Sequence, residues 1–151
     1  MAERNKSSEL SDWIKNHVTR YLATDGEDGY LLDASLSGGN GLVPTLLLTT
    51  IGRKSGNALT LPLIFGRSGP DYVVVASKSG APSHPAWYLN LEANPDVRVQ
   101  VKGEKFAAHA QTVHGAERAA LWTKMVEIYL PYAQYQTNTD RQIPVILLKP
   151  V

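Results

Sequence analysis

Apolar positions along this chain change period several times, and each change marks an element. From Glu9 to Ala23 they fall at Leu10, Trp13, Ile14, Val18, Tyr21 and Leu22. Steps of three and four place them on one face of a helix. His17 shares that face, where a lone histidine is ordinarily a packed residue rather than a ligand. Met1 to Ser8, before it, reads as a tail. Thr24 to Asn40 is rich in Gly, Asp and Ser and reads as a long loop, with a short element at most at Tyr30–Leu32. Strands then dominate. Thr45–Thr50 lies in a continuous apolar run, the pattern of a strand buried on both faces. Leu59–Phe65 is the second strand, and Pro62 inside it demands an edge or a bulge. Gly66–Pro70 reads as a turn and Asp71–Ser77 as the third strand. Val97–Lys102 alternates valines with polar residues, as a half-buried strand does. Lys105–Val113 is its hairpin partner, and Pro144–Lys149 is a closing strand. Between them lie helices at His84–Ala93 and Gly115–Tyr129, and a short helical turn at Tyr132–Thr137 after Pro131. Ser83 is the expected N-cap of the first of these, with Pro85 in its first turn.

Hairpin connections outnumber crossovers in this order, so the sheet is mainly antiparallel. Six short strands with long apolar runs predict an α+β fold, a small closed or split barrel covered by helices. Residues 1–40 form an N-terminal helix and loop, and residues 41–151 the barrel, within one structural domain.

Composition removes whole classes of function. The 151 residues carry a net charge of +1, with 43% hydrophobic and 19% charged content. That is a globular protein without a broad polyanion-binding surface, so nucleic acid is not an expected partner. There is no cysteine, which excludes disulfides, thiolate metal sites and a thiol nucleophile. The N-terminus lacks the apolar core of a signal peptide, and no run reaches the length of a membrane span. A cytoplasmic location is the default. Contact with a membrane surface through residues 9–23 is the alternative to packing, because Lys15, His17 and Arg20 accompany a Trp and a Tyr there.

No self-contained catalytic set is visible. There is no Gly-x-Ser-x-Gly elbow and no His-Glu-x-x-His pair. His17, His84, His109 and His114 are scattered over different elements without ligand spacing, so no metal site is expected. A bound cofactor would have to carry any reaction. Two features could serve one. Between the first two strands, Gly52 and Gly56 bracket Arg53, Lys54 and Ser55, a turn able to present cations and N–H groups to an anion. Its plainer reading is a hairpin with a solvated basic tip. Tyr129, Tyr132 and Tyr135, three apart around Pro131, would form an aromatic wall with polar tips, or else a set of core-edge tyrosines.

Several stretches, taken together, resemble the deazaflavin-dependent nitroreductase family: LLLTTIGRKSGNALTLPLIF, VVVASKSGAPSHPAWYLNLEANPDVRVQV and MVEIYLPYAQYQTNTDRQIPVILL. The likeness runs from about Thr45 to the C-terminus. It implies a split β-barrel related to flavin-mononucleotide (FMN)-binding proteins. It also implies coenzyme F420, whose reduced form donates hydride to quinones, α,β-unsaturated carbonyl compounds or nitro compounds. Carried over by motif, Arg53, Lys54 and Ser55 meet the coenzyme's phosphate and acidic tail. Pro62 and Leu63 pass beside its ring, and Ala76, Ser77 and Lys78 approach ring and chain. Ala86, Trp87 and Asn90 support it. Tyr129, Tyr135 and Phe65 line the substrate pocket, and Tyr132, with Ser77 second, orients substrate or supplies a proton. Leu59 stands where the family commonly has a base, and Phe65 where a tyrosine can occur. An FMN-dependent oxidoreductase and a non-catalytic coenzyme carrier are the alternative readings, and an oligomer is compatible with each.

Overall fold

The computed structural model describes residues 6–39 and 41–151, leaving aside the side chains of residues 6–11, 36 and 37. The expected tail therefore lies partly outside the described residues, and the first helix, α1, already begins within it, spanning Lys6–Thr24. The strands are β1 (Leu31–Asp33), β2 (Leu42–Ile51), β3 (Ala58–Ile64), β4 (Gly66–Ser68), β5 (Asp71–Val75), β6 (Asp96–Val101), β7 (Glu104–Thr112) and β8 (Val145–Pro150). Helices α2 (Ala86–Ala93), α3 (Gly115–Ile128) and α4 (Pro131–Thr137) complete the order.

Among the described residues, eight strands stand where six were expected. The two extra ones, β1 and β4, are three residues each, too short for a period to show. The stretch expected to turn at Gly66–Pro70 instead contributes β4, paired with β5. All pairings are antiparallel, in the order β1-β2-β6-β7-β8-β5-β4, with β3 on β2. β3 pairs with β2 alone among the described residues, so Pro62, opposite Leu47, sits in an edge strand, where its missing N–H costs no ladder bond.

Connectivity forces the sheet to curl. β3 lies at one side of the sheet and β4 at the other, yet only Phe65 separates them in sequence. Consecutive Cα atoms are about 3.8 Å apart, so the two sides must meet. Phe65 is the seam residue and is buried between Tyr30 and Tyr72.

The curled sheet separates two apolar layers. Leu46, Leu48, Tyr72, Val74, Val99, Ile146 and Leu148 fill its interior. Val73, Val75, Val145 and Leu147 turn to the other face, beneath Leu121, Met125, Tyr129 and Tyr132. β5 and β8 are thus covered on both faces, which explains their unbroken apolar runs. α1 packs on β3. The helix at α2 begins after Pro85, with no side-chain cap. Ser83 is not the N-cap; its Oγ accepts from Lys78 Nζ at 3.3 Å.

Candidate functional site

A cavity of about 360 Å³ opens between β3, the start of α2, the α3–α4 junction and α1. Its apolar walls include Pro62, Leu63 and Trp87; its polar rim includes Ser77, Lys78 and the tyrosine set. Pockets of this size, mostly apolar with a few convergent polar groups, suit small organic ligands.

The tyrosines converge because a break separates them. α3 ends at Ile128 and α4 starts at Pro131, which opens a helix without an N–H to satisfy. Tyr129 and Tyr132 meet edge-to-face at 4.9 Å. The Tyr129 and Tyr135 hydroxyls are 3.2 Å apart. Tyr132 is 4% exposed. Burial, then its two tyrosine neighbours, raises its phenol well above the usual range. The Tyr135 phenol is pushed up to about 12, first by burial and then by its hydrogen bond with Tyr129. Both stay protonated at neutral pH and so keep an O–H available to donate.

Ser77 and Lys78 reach the cavity through a strained loop. Lys78 and Ser79 have φ of 46° and 53°, left-handed conformations that cost non-glycine residues energy. Gly80 follows at φ 79°, and a Cβ there would come within 2.6 Å of the Tyr135 carbonyl oxygen. Only glycine allows this loop to press against α4. Arg141 holds it in place. Its Nε donates to Ala81 O at 2.8 Å, Nη1 to Ala76 O at 3.2 Å and to His84 Nδ1 at 3.0 Å, and Nη2 to Ser77 O at 2.7 Å. Accepting from Arg141 fixes His84 as neutral, and burial followed by the Arg141 charge lowers its pKa.

The basic turn lies in a separate depression lined by Arg53, Lys54, Ser55, Leu59 and Asn90. Gly56, at φ 74°, closes the turn. Ser55 Oγ accepts from the Asn57 N–H and so shapes the tip. Asn90 ties the turn to α2. Its Oδ1 accepts from the Arg53 backbone N–H at 3.1 Å and from Nη1 at 3.4 Å, while Nδ2 donates to Thr50 Oγ1. Lys54 makes no hydrogen bond or ion pair among the described residues.

Of the expected site residues, Pro62, Leu63, Ser77, Lys78, Trp87, Tyr129, Tyr132 and Tyr135 share the cavity. Arg53, Lys54, Ser55 and Asn90 share the second depression. Three others stand in neither. Phe65 is in the barrel seam, Ala76 is fully buried with its carbonyl oxygen on Arg141, and Ala86 is exposed at the start of α2. Sequence reasoning missed two contributors. Arg141 lies within the third of the quoted stretches, but its partners are three backbone carbonyls and His84. α1 supplies Trp13, Ile14 and His17 to the cavity wall, which its helical period could not reveal.

A curled antiparallel barrel with a ring-sized cavity beside a cationic turn defines a cofactor-binding split-barrel protein. A family model described as F420H(2)-dependent quinone reductase matches residues 13–150, and the chain belongs to that family. The match takes in α1, further toward the N-terminus than the motif likeness. An F420H(2)-dependent quinone reductase of Mycobacterium tuberculosis (strain ATCC 25618 / H37Rv) is 38% identical over 152 residues, covering 93% of this chain and 97% of that protein. A solved F420-H2-dependent reductase is 45% identical, covers 70% of this chain and 94% of its own, and superposes with a TM-score of 0.66. Another structure, described as a domain-swapped dimer, is 39% identical, covers 93% and 99%, and has a TM-score of 0.68.

The residues present fit a ring with an anionic tail. Trp87, Pro62 and Leu63 offer flat apolar surface, and Arg53 and Lys54, without carboxylate partners among the described residues, lie in the turn leading into β3.

Proposed function

We propose that this chain is an F420H2-dependent reductase that passes hydride to a quinone, with enones and nitro compounds as further acceptors of the same class. The observation that carries the reading is that both depressions are built on the same two elements. β3 gives Leu59 to the basic depression and Leu61 to Ile64 to the cavity. α2 gives Asn90 to the first and Trp87 to the second. Three helical residues rise about 4.5 Å, and two strand residues about 7 Å. A single ligand with a ring at one end and negative charge at the other spans that distance.

When bound, the reduced deazaflavin supplies the hydride. The chain's own residues do the rest. Arg53 and Lys54 meet the anionic part, and Lys78 at the cavity rim is a third cation for it. Trp87, Pro62 and Leu63 exclude water from the ring. The Tyr132 hydroxyl, which makes no hydrogen bond among the described residues, donates to the acceptor oxygen on which negative charge develops. Ser77 is the second donor. Holding the two reacting partners in one cavity lowers the entropic part of the barrier. Membrane contact is not part of this reading: on the apolar face of α1, Tyr21 is buried and Ile14 and Val18 are partly buried, while Trp13 and Leu22 remain half exposed. A dimer is part of it, in keeping with the domain-swapped relative.

The test is titration with oxidised and reduced coenzyme F420, followed by a screen of quinones, enones and nitro compounds. Coenzyme binding with quinone-dependent oxidation of the reduced form is expected. A protein that retains FMN and ignores the deazaflavin would be the flavin enzyme instead. Tight coenzyme binding without turnover of any acceptor would make it a carrier.

A further inference from the structure

His17 stands in the cavity wall, 3% exposed, with half of its hydrogen bonding unmet. Its Nε2 is 2.8 Å from Gly29 O. A carbonyl oxygen only accepts, so Nε2 carries the hydrogen. Nδ1 has no partner among the described residues. The Cδ2–Nε2 edge is pressed to Gly29, where an added Cβ would lie 3.1 Å from Cδ2 and 3.2 Å from Nε2. The Nδ1–Cε1 edge is therefore turned the other way, within the wall of the cavity. Trp13, edge-on to the same ring at 5.4 Å and 48% exposed, is the neighbour with room to move.

This anchoring is made by a nitrogen that donates in either form of the ring. A neutral ring presents a bare lone pair at Nδ1, and a protonated ring presents an N–H. The Gly29 bond survives both states, because Nε2 donates in each. His84 is the contrast: its Nδ1 accepts from Arg141, so protonation breaks its contact. The charged and titratable groups around His17 are Lys78 and the three tyrosines of the cavity, with Tyr21, Tyr30 and Asp28, the last paired with Arg20, beside Gly29, and half-buried Asp12 on α1. β3, packed against α1, contributes none, and on α1 itself Lys15 and Arg20 are exposed.

We propose that His17 is a ligand-binding residue whose Nδ1 distinguishes the two redox forms of a quinone. A quinone oxygen has no hydrogen to give and pairs only with protonated Nδ1. A hydroquinone O–H donates to neutral Nδ1. The proposal rests on the quinone-reductase reading. It makes the cavity release the product and accept the substrate in a pH-dependent way, through one side chain.

The test uses protein saturated with oxidised coenzyme F420, which has no hydride to give. Affinities for a soluble naphthoquinone and for its hydroquinone are measured from about pH 5 to about pH 8, where imidazoles titrate. The ratio of quinone to hydroquinone affinity should fall roughly tenfold across that range, the scale of one hydrogen bond gained or lost. His17→Gln keeps an N–H for Gly29 O and titrates nothing, so its ratio should be flat; any titration of the coenzyme is common to both proteins. In the unaltered protein, hydroquinone should shift the nitrogen resonance of His17 Nδ1 and leave that of Nε2, a readout that needs no variant. A wild-type ratio as flat as the variant's, or an unmoved Nδ1 resonance, overturns the proposal while leaving the quinone-reductase reading standing. Failure of both quinone and hydroquinone to bind overturns the two together.

Discussion

Tyr132 combines a buried ring with a hydroxyl that has no partner among the described residues. A phenol so hard to ionise is a poor proton source and a dependable hydrogen-bond donor. Replacing it by Phe keeps the ring on Tyr129 and removes only the donor. Turnover should fall about 10- to 1000-fold, the range for losing one such donor, while coenzyme Kd stays within about twofold. An equal loss in both would assign Tyr132 to packing. The basic turn makes the opposite split. Arg53 and Lys54 are exposed, so each contact with the anionic portion is worth the low end of about 1.5–3 kcal/mol. Arg53→Ala and Lys54→Ala should each raise coenzyme Kd roughly tenfold, with a weaker salt dependence of binding and little change in turnover at saturation. Unchanged affinity in the double variant would put the tail elsewhere.

At the level of elements, the loop from Ala76 to His84 is the part of the site with the least support of its own. Two left-handed residues and a glycine bring Ser77 and Lys78 to the cavity, and Arg141 bonds to three carbonyls and to His84. Arg141→Met should cost about 1–3 kcal/mol of stability and raise coenzyme Kd; Arg141→Lys, with no planar fork, should restore little of either. His84 adds a pH dependence whose sign follows from its lowered pKa. The folded state prefers neutral imidazole, so this contribution is complete above the ordinary value of 6.5 and is lost as pH falls below it. The hydrogen-exchange protection factors of the Gly80 and Ala81 amides, bonded to Ser77 O and Lys78 O, should fall on acidification. In His84→Gln that acid response should be absent, and its persistence would point to other groups. This loop also marks what the sequence could and could not reveal. The tyrosine spacing, the basic turn and the edge position of Pro62 were legible because each is a local pattern. Arg141 reaches partners 57 to 65 residues away, and no period records a bond from a side chain to a distant carbonyl. Phe65 was set in the pocket by motif position, but the curl of the sheet, a property of connectivity, draws it into the seam. β1 and β4, three residues each, are too short to carry a period of their own.

For the molecule as a whole, α1 links stability to the site. One face packs on β3, and Trp13, Ile14 and His17 wall the cavity. The attachment is concentrated at Tyr21, which is fully buried. Its hydroxyl donates to Thr45 O at 3.0 Å and accepts from the Lys102 N–H at 2.8 Å, joining α1 to β2 and to the β6–β7 turn. Gly29 O makes a second junction, accepting from His17 Nε2 and from Thr45 Oγ1. Tyr21→Phe leaves the ring in place and strips both bonds, leaving the Lys102 N–H without its partner. About 1–3 kcal/mol should be lost, a fall in Tm of about 3–9 °C for a chain of this size. The functional consequence should be selective. Loosening α1 disturbs the acceptor's wall and not the β2–β3 turn, so KM for quinone should rise several-fold while coenzyme Kd holds. Thermal unfolding, acceptor kinetics and coenzyme titration on the same variant separate the cases. A fall in Tm with both binding constants unchanged would mean that α1 merely covers the barrel; a parallel rise in both would mean that the barrel itself, rather than the helix on it, had given way.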